Sequence, residues 1–111
     1  MIPKTKFDGN ELTVYLSGDI DHHTARKIRE VTDALIQEKK PSRLFLNFAA
    51  VNFMDSSGIG LIMGRYRMML LFGGSVRVVS IPENLRRIME LSGLGGLNVL
   101  ERSGELSESV K

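Results

Sequence analysis

Residues 11 to 35 change their apolar period once, and that change restricts the fold more than any other feature of the chain. From Glu11 to Ser17, Leu12, Val14 and Leu16 recur at every second position, so they share one face of an extended strand. Beyond Gly18, Ile28, Val31 and Leu35 recur at helical spacing, while Arg26, Lys27, Arg29 and Glu30 lie elsewhere on the wheel. The spacing predicts a helix over about residues 22 to 38, N-capped by Asp21 and stopped by Lys39-Lys40-Pro41.

The alternation continues downstream. Arg43 to Phe48 is short, apolar on both faces and bounded by Pro41 and a loop, which predicts a central strand. Asp55 to Phe72 is apolar nearly all round, which predicts a largely covered helix ended by Gly73-Gly74. Val76 to Ser80 reads as a strand. Pro82 suits the first turn of a helix carrying Leu85, Ile88, Met89 and Leu91, Gly93 suits its C-terminal cap, and Leu97 to Leu100 reads as a last short strand. Upstream, Asp8-Gly9-Asn10 is a turn that pairs a short strand over about residues 3 to 7 with the strand after it. The expected fold is therefore α/β: one domain over residues 1 to 111, with a mixed, mostly parallel sheet flanked by helices. The polar tail, Ser103 to Lys111, is expected to fray or to form a short terminal helix.

Composition narrows the function classes. A chain of 111 residues with 42% hydrophobic and 25% charged residues can bury a single core. Its 15 Lys and Arg against 13 Asp and Glu give a net charge of +2, too even for a strong field toward nucleic acid or anionic lipid. Cysteine is absent, which excludes disulfides, thiolate metal sites and thiol catalysis. No apolar run reaches the length of a membrane span and the N-terminal residues lack a signal-peptide pattern, so the expected place is the cytoplasm.

The densest chemical signal is Asn52-Phe53-Met54-Asp55-Ser56-Ser57-Gly58-Ile59-Gly60, where a strand passes into an apolar helix. Asp55, Ser56 or Ser57 can cap the helix, accepting a hydrogen bond from a backbone N–H two or three residues on. Spacing alone favours the cap, but a serine in this setting is also available as a phosphate acceptor at the positive end of a helix dipole. Gly58, Gly60 and Gly64 form G-x-G-x-x-x-G, one residue off the dinucleotide fingerprint, and are read as allowing close packing of helix on sheet. His22 and His23 are adjacent, so they cannot ligate one metal in the i, i+4 manner. A hydrolase built on Ser56, a histidine and Asp21 remains an alternative, although no G-x-S-x-G elbow is present. Arg65-Tyr66-Arg67 and Arg86-Arg87 read as solvated helix faces or as docking points for an acidic partner.

The segment Phe53 to Arg67, FMDSSGIGLIMGRYR, resembles the signature of anti-sigma factor antagonists of the STAS domain family. Gly18-Asp19-Ile20-Asp21-His22-His23-Thr24-Ala25 resembles that family's loop and first helix start, and Leu85 to Leu94 resembles its third helix. The likeness covers about residues 5 to 100, and its Asp-His-His-Thr-Ala and Gly-Arg-Tyr segments are most similar to the sporulation branch that antagonises an anti-sigma F factor. The resemblance implies a regulatory protein rather than an enzyme, phosphorylated on Ser56. Loops at the same ends of neighbouring parallel strands converge, so Asp21 is expected near Ser56 and Asp55, and the expected partner surface is Asp21, His22, Asp55, Ser57, Gly58 and Arg65. It implies an anti-sigma factor that is also a serine kinase as partner, a serine phosphatase that reverses the modification, and no cofactor of the chain's own, since ATP belongs to the kinase. A stress-signalling pathway is the alternative within the family.

Overall fold

The hairpin turn explains why the chain opens with paired strands. Gly9 and Asn10 both hold positive φ, +58° and +73°, the two-residue loop geometry whose twist matches right-twisted strands. It joins β1 (Lys4–Asp8) to β2 (Glu11–Ile20) in an antiparallel register that begins at Asp8 opposite Glu11. In this computed structural model, which describes residues 2–102, the chain continues through α1 (His22–Lys39), β3 (Arg43–Met54), α2 (Ser56–Leu71), β4 (Ser75–Val79) and α3 (Glu83–Leu91) to a 3₁₀ turn at Gly93–Gly96. The expected tail from Ser103 onward lies outside the described residues.

The sheet order is β1-β2-β3-β4, with β2, β3 and β4 parallel. Right-handed crossovers between successive neighbours place α1 and α2 on the same face. That face is buried: Leu12, Val14 and Leu16 of β2, Leu44, Leu46 and Phe48 of β3, and Val76 and Val78 of β4 meet Ile28, Ile36, Leu61, Ile62 and Met69 of the helices. The opposite face, with Thr13, Phe45 and Arg77 in one cross-strand row, is only half covered. β3 is thus covered on one side, not on both as its apolar run suggested.

Several elements differ from their sequence readings for local reasons. β2 and β3 run three and six residues further than expected because their pairing resumes after two register shifts, between Tyr15 and Ser17 and between Gly18 and Asp19. Asn47 accepts a hydrogen bond from the Ala49 N–H at 2.9 Å, a local turn that absorbs the extra residues of β3 and breaks its alternation. On α1 the buried stripe is Ala25, Ile28, Thr32 and Ile36, with Val31 and Leu35 at its edge. α2 is less covered than its composition implied, since Leu70, Leu71 and Phe72 at its end are exposed. Gly73, at φ +78°, then closes the helix as expected, with Gly74 N–H donating to the Met69 carbonyl at 2.8 Å.

The C-terminal region departs most. α3 ends at Leu91 and is capped by Ser92 rather than by a left-handed Gly93, which instead begins the 3₁₀ turn. The expected last strand is a single parallel bridge between Val78 and Leu100, held by Val78 N–H to the Val99 carbonyl at 2.8 Å and Glu101 N–H to the Val78 carbonyl at 2.9 Å. Arg86 is buried, not solvated: its Nη1 donates to the Glu101 carbonyl at 2.6 Å and pins this segment to α3.

Only one of the glycines near the start of α2 packs tightly. A Cβ on Gly58 would lie 2.6 Å from Met54 Sδ, whereas a Cβ on Gly60 or Gly64 would meet nothing within 4 Å. The reading of all three as close-packing glycines therefore holds for Gly58 alone. Gly58→Ala is expected to lower the thermal midpoint by roughly 5 °C, about 1 kcal/mol of overpacking. Gly60→Ala should instead raise it, because alanine removes a helix-interior glycine without a clash. Shifts of the same sign in the two variants, read by calorimetry, would contradict this packing.

Candidate functional site

Two strands end side by side, and a helix starts from each. β2 and β3 are parallel to their last pair, Ile20 beside Met54, and the Asp55 N–H extends the ladder to the Ile20 carbonyl at 3.1 Å. The residues that follow, Asp21 and Asp55, are therefore held at the ends of adjacent strands, and each caps the helix it precedes. Asp21 Oδ1 accepts from His23 and Thr24 N–H, both at 2.9 Å, while Thr24 Oγ1 accepts from the Asp21 N–H at 2.9 Å, a reciprocal capping box. Asp55 Oδ1 accepts from the Ser57 N–H at 2.7 Å.

The cap of α2 is thus Asp55, which frees Ser56. Ser56 is the first residue of the helix, is exposed, and its hydroxyl has no hydrogen-bond partner among the described residues, His22 and His23 included. Asp21, His22 and Asp55 are exposed too, and Ser57 is half-buried. His22 and Ser57 line one open depression of about 410 Å³ between α1 and α2. Asp21 and Asp55 do not line it but stand at the neighbouring ends of β2 and β3, where the two loops were expected to converge. Among the described residues no group of three or more His, Asp and Glu side chains is gathered as for a metal.

Gly58 and Arg65, expected at the partner surface, are buried instead. Gly58 lies against Met54 under the first turn of α2. Arg65 is 6% exposed, with its Nε 2.8 Å from Asp33 Oδ1 on α1 and its Nη1 donating to the Leu61 carbonyl at 3.3 Å. The Nε–H points off the line to Asp33, so the contact is a charge pair rather than an aligned hydrogen bond. Burial pushes the Asp33 carboxyl above its usual range and the Arg65 guanidinium below its own, and each charge partly restores the other. Arg65 binds α2 to α1 beside the site. Spacing missed Asp33, because nothing in one helix marks its partner on another.

Sequence reasoning also missed Phe53, 54% exposed and two residues before the Asp55 cap, and the pair Arg26 and Arg29, exposed on the rim of the same depression. His22, Arg26 and Arg29 stand at i, i+4 and i+7, a spacing that marks one helix face and was available from the sequence.

The backbone N–H of Thr24 foremost, then its hydroxyl and the His23 N–H, hold the Asp21 carboxyl below its ordinary value. A lowered folded pKa means that the ionised cap contributes stability above the unfolded value of about 3.9 and loses it as pH falls through the folded one. Asp21→Ala is expected to melt earlier than the parent at neutral pH and to converge with it in strong acid, a trend that thermal melts across pH would register. Arg65→Met should cost on the order of 2 kcal/mol, between a surface pair and a fully buried one. A denaturant midpoint equal to the parent's would show that the pair holds nothing together.

Comparison with known proteins gives the family. The STAS domain model matches residues 2–110. The chain is 39% identical over 83 residues to an anti-sigma F factor antagonist of Paenibacillus polymyxa, covering 75% of this chain and 71% of that one. The solved structure of the anti-sigma factor antagonist SpoIIAA in its unphosphorylated form superposes with a TM-score of 0.82 at 26% identity, over 97% of this chain and 91% of that one. The phosphorylated form of SpoIIAA, described as a Bacillus cell fate determinant, superposes at 0.75 with the same identity, over 97% and 95%. The chain that carries these paired aspartate caps belongs to the STAS domain family, alongside its anti-sigma factor antagonists.

Proposed function

We propose that this chain is a cytoplasmic anti-sigma factor antagonist that acts by binding and is switched off by phosphorylation of Ser56. The observation that carries the reading is the free, exposed Ser56 hydroxyl at the first position of α2, beside two carboxylates already committed to capping. In the unphosphorylated state Asp21, His22, Asp55, Ser56 and Ser57 present one surface to an anti-sigma factor that is also a serine kinase, while Gly58 and Arg65 shape that surface from beneath. Binding there releases the sigma factor. The likeness to relatives named for anti-sigma F factor antagonism supports the sporulation branch.

The switch follows from charge. The kinase supplies ATP, the Ser56 oxygen bonds to the γ-phosphorus as ADP leaves, and the hydroxyl proton is lost. The product adds about −1.5 to −2 charge next to Asp55, bringing the patch with Asp21 to roughly −3.5 to −4. The Asp55 carboxylate already uses the Ser57 N–H, so the phosphate finds fewer donors at the helix end and must be desolvated in an interface built around a neutral hydroxyl. A serine phosphatase restores that hydroxyl.

Incubating the chain with the anti-sigma factor of the same organism and ATP should add one phosphoryl group, seen as a mass shift, and Ser56→Ala should take up none. Ser56→Asp should bind that partner about tenfold more weakly, roughly 1.4 kcal/mol. Phosphate uptake undiminished in Ser56→Ala would refute the assignment of the site, and labelling of Ser56 by a serine-reactive probe without any partner would favour a hydrolase instead.

A further inference from the structure

The depression between α1 and α2 has a floor that the isolated chain does not need. Gly60 and Gly64 lie one turn apart on α2, and neither is tight against anything: a Cβ on either would meet no atom within 4 Å. Glycine weakens a helix interior relative to alanine, so these positions lower the stability of α2 without relieving any contact within the described residues. What they do achieve is a low floor, open for a second chain to approach the α2 backbone closely.

The rim is one-signed. Arg26 and Arg29 are exposed, neither has a carboxylate within salt-bridge distance among the described residues, and no acidic side chain lines the depression. At its far end lies Arg65, whose side chain is only 8% exposed and whose Nε lacks an aligned hydrogen bond despite the nearby Asp33. Ser57, next to the switch residue, forms the near end. The surface is thus split, with Asp21 and Asp55 at the helix starts and exposed cations along the channel leading away from them, where Asp33 pairs with Arg65 and acts on Arg29 only through its field.

We propose that this channel, rimmed by Arg26 and Arg29 and floored by Gly60 and Gly64, seats an acidic segment of the anti-sigma factor while its kinase centre engages Ser56. The inference rests on the partner reading above and adds where that partner is gripped and by what chemistry. Carboxylates of the segment pair with Arg26 and Arg29, and its backbone lies over the two glycines. The cationic rim steers the encounter and sets its register beside Ser56, an arrangement that salt weakens.

The test is titration calorimetry of the full chain with the purified anti-sigma factor of the same organism, at low and high salt. Three proteins are compared: the parent, Arg26→Glu/Arg29→Glu, and Gly64→Gln. The parent should bind with an affinity that falls as salt rises. The double charge reversal should bind at least tenfold more weakly at low salt and lose that salt dependence. Gly64→Gln should bind at least tenfold more weakly while melting at a higher temperature than the parent, a combination that a merely structural defect does not produce. Parent-like binding by both variants overturns the channel and leaves the partner reading standing, whereas no binding by the parent overturns both. If ADP or inorganic phosphate binds the parent and not the double variant, while both bind the anti-sigma factor equally, the channel is a small-anion site and the proposal falls.

Discussion

The hydrogen bond from the Asp55 N–H to the Ile20 carbonyl, 3.1 Å long, closes the parallel pairing of β2 and β3 and sets the position of everything that follows it. Parallel neighbours end at the same edge of a sheet, so the residues after them emerge together. Here those residues are two aspartates, and each is consumed by the same task of satisfying backbone donors at a helix start. With the capping done by Asp55, the serine behind it is left in the first turn without a structural duty. An exposed hydroxyl with no bond to lose can be modified at little cost to the fold.

The surroundings of that hydroxyl are kept in place from below and from the side. Gly58 lets the first turn of α2 settle on Met54, where an added Cβ would crowd the Met54 side chain. Arg65 reaches from α2 to Asp33 on α1, so the two helices that carry the caps are tied by a charge pair as well as by apolar contact. Burial disfavours both charges and each only partly offsets the penalty on the other, which makes the pair a directional tie rather than a large source of stability.

The far edge of the sheet is built differently. β4 ends at Val79, and beyond it the chain returns through α3 to make one bridge at Leu100, secured by the Arg86 guanidinium on the Glu101 carbonyl. The end of α2, which leads into the start of β4 at the end of the sheet opposite Ser56, leaves Leu70, Leu71 and Phe72 in solvent. Order around Ser56 and looseness of coverage at this opposite end are both consequences of a one-sided sheet, whose helices cover the face they cross and little beyond it.

Period alone made most of the elements legible. The switch from alternating to helical spacing located β2 and α1, the Asp21 cap follows from its place before an amphipathic run, and the glycine pair after Phe72 marked the end of α2. These features are local, and backbone geometry within a few residues decides them. What only the tertiary structure decided depends on residues far apart in the chain: that Arg65 and Arg86 are buried while Arg26 and Arg29 are not, and that Gly60 and Gly64 face open space. Charge and size are written in the sequence, but whether a cation is paired or a glycine is crowded is set by which elements pack against it. The sequence by itself determined an α/β chain with a serine at a helix start; the packing of two parallel strands, and the helices they launch, decided that this serine is free.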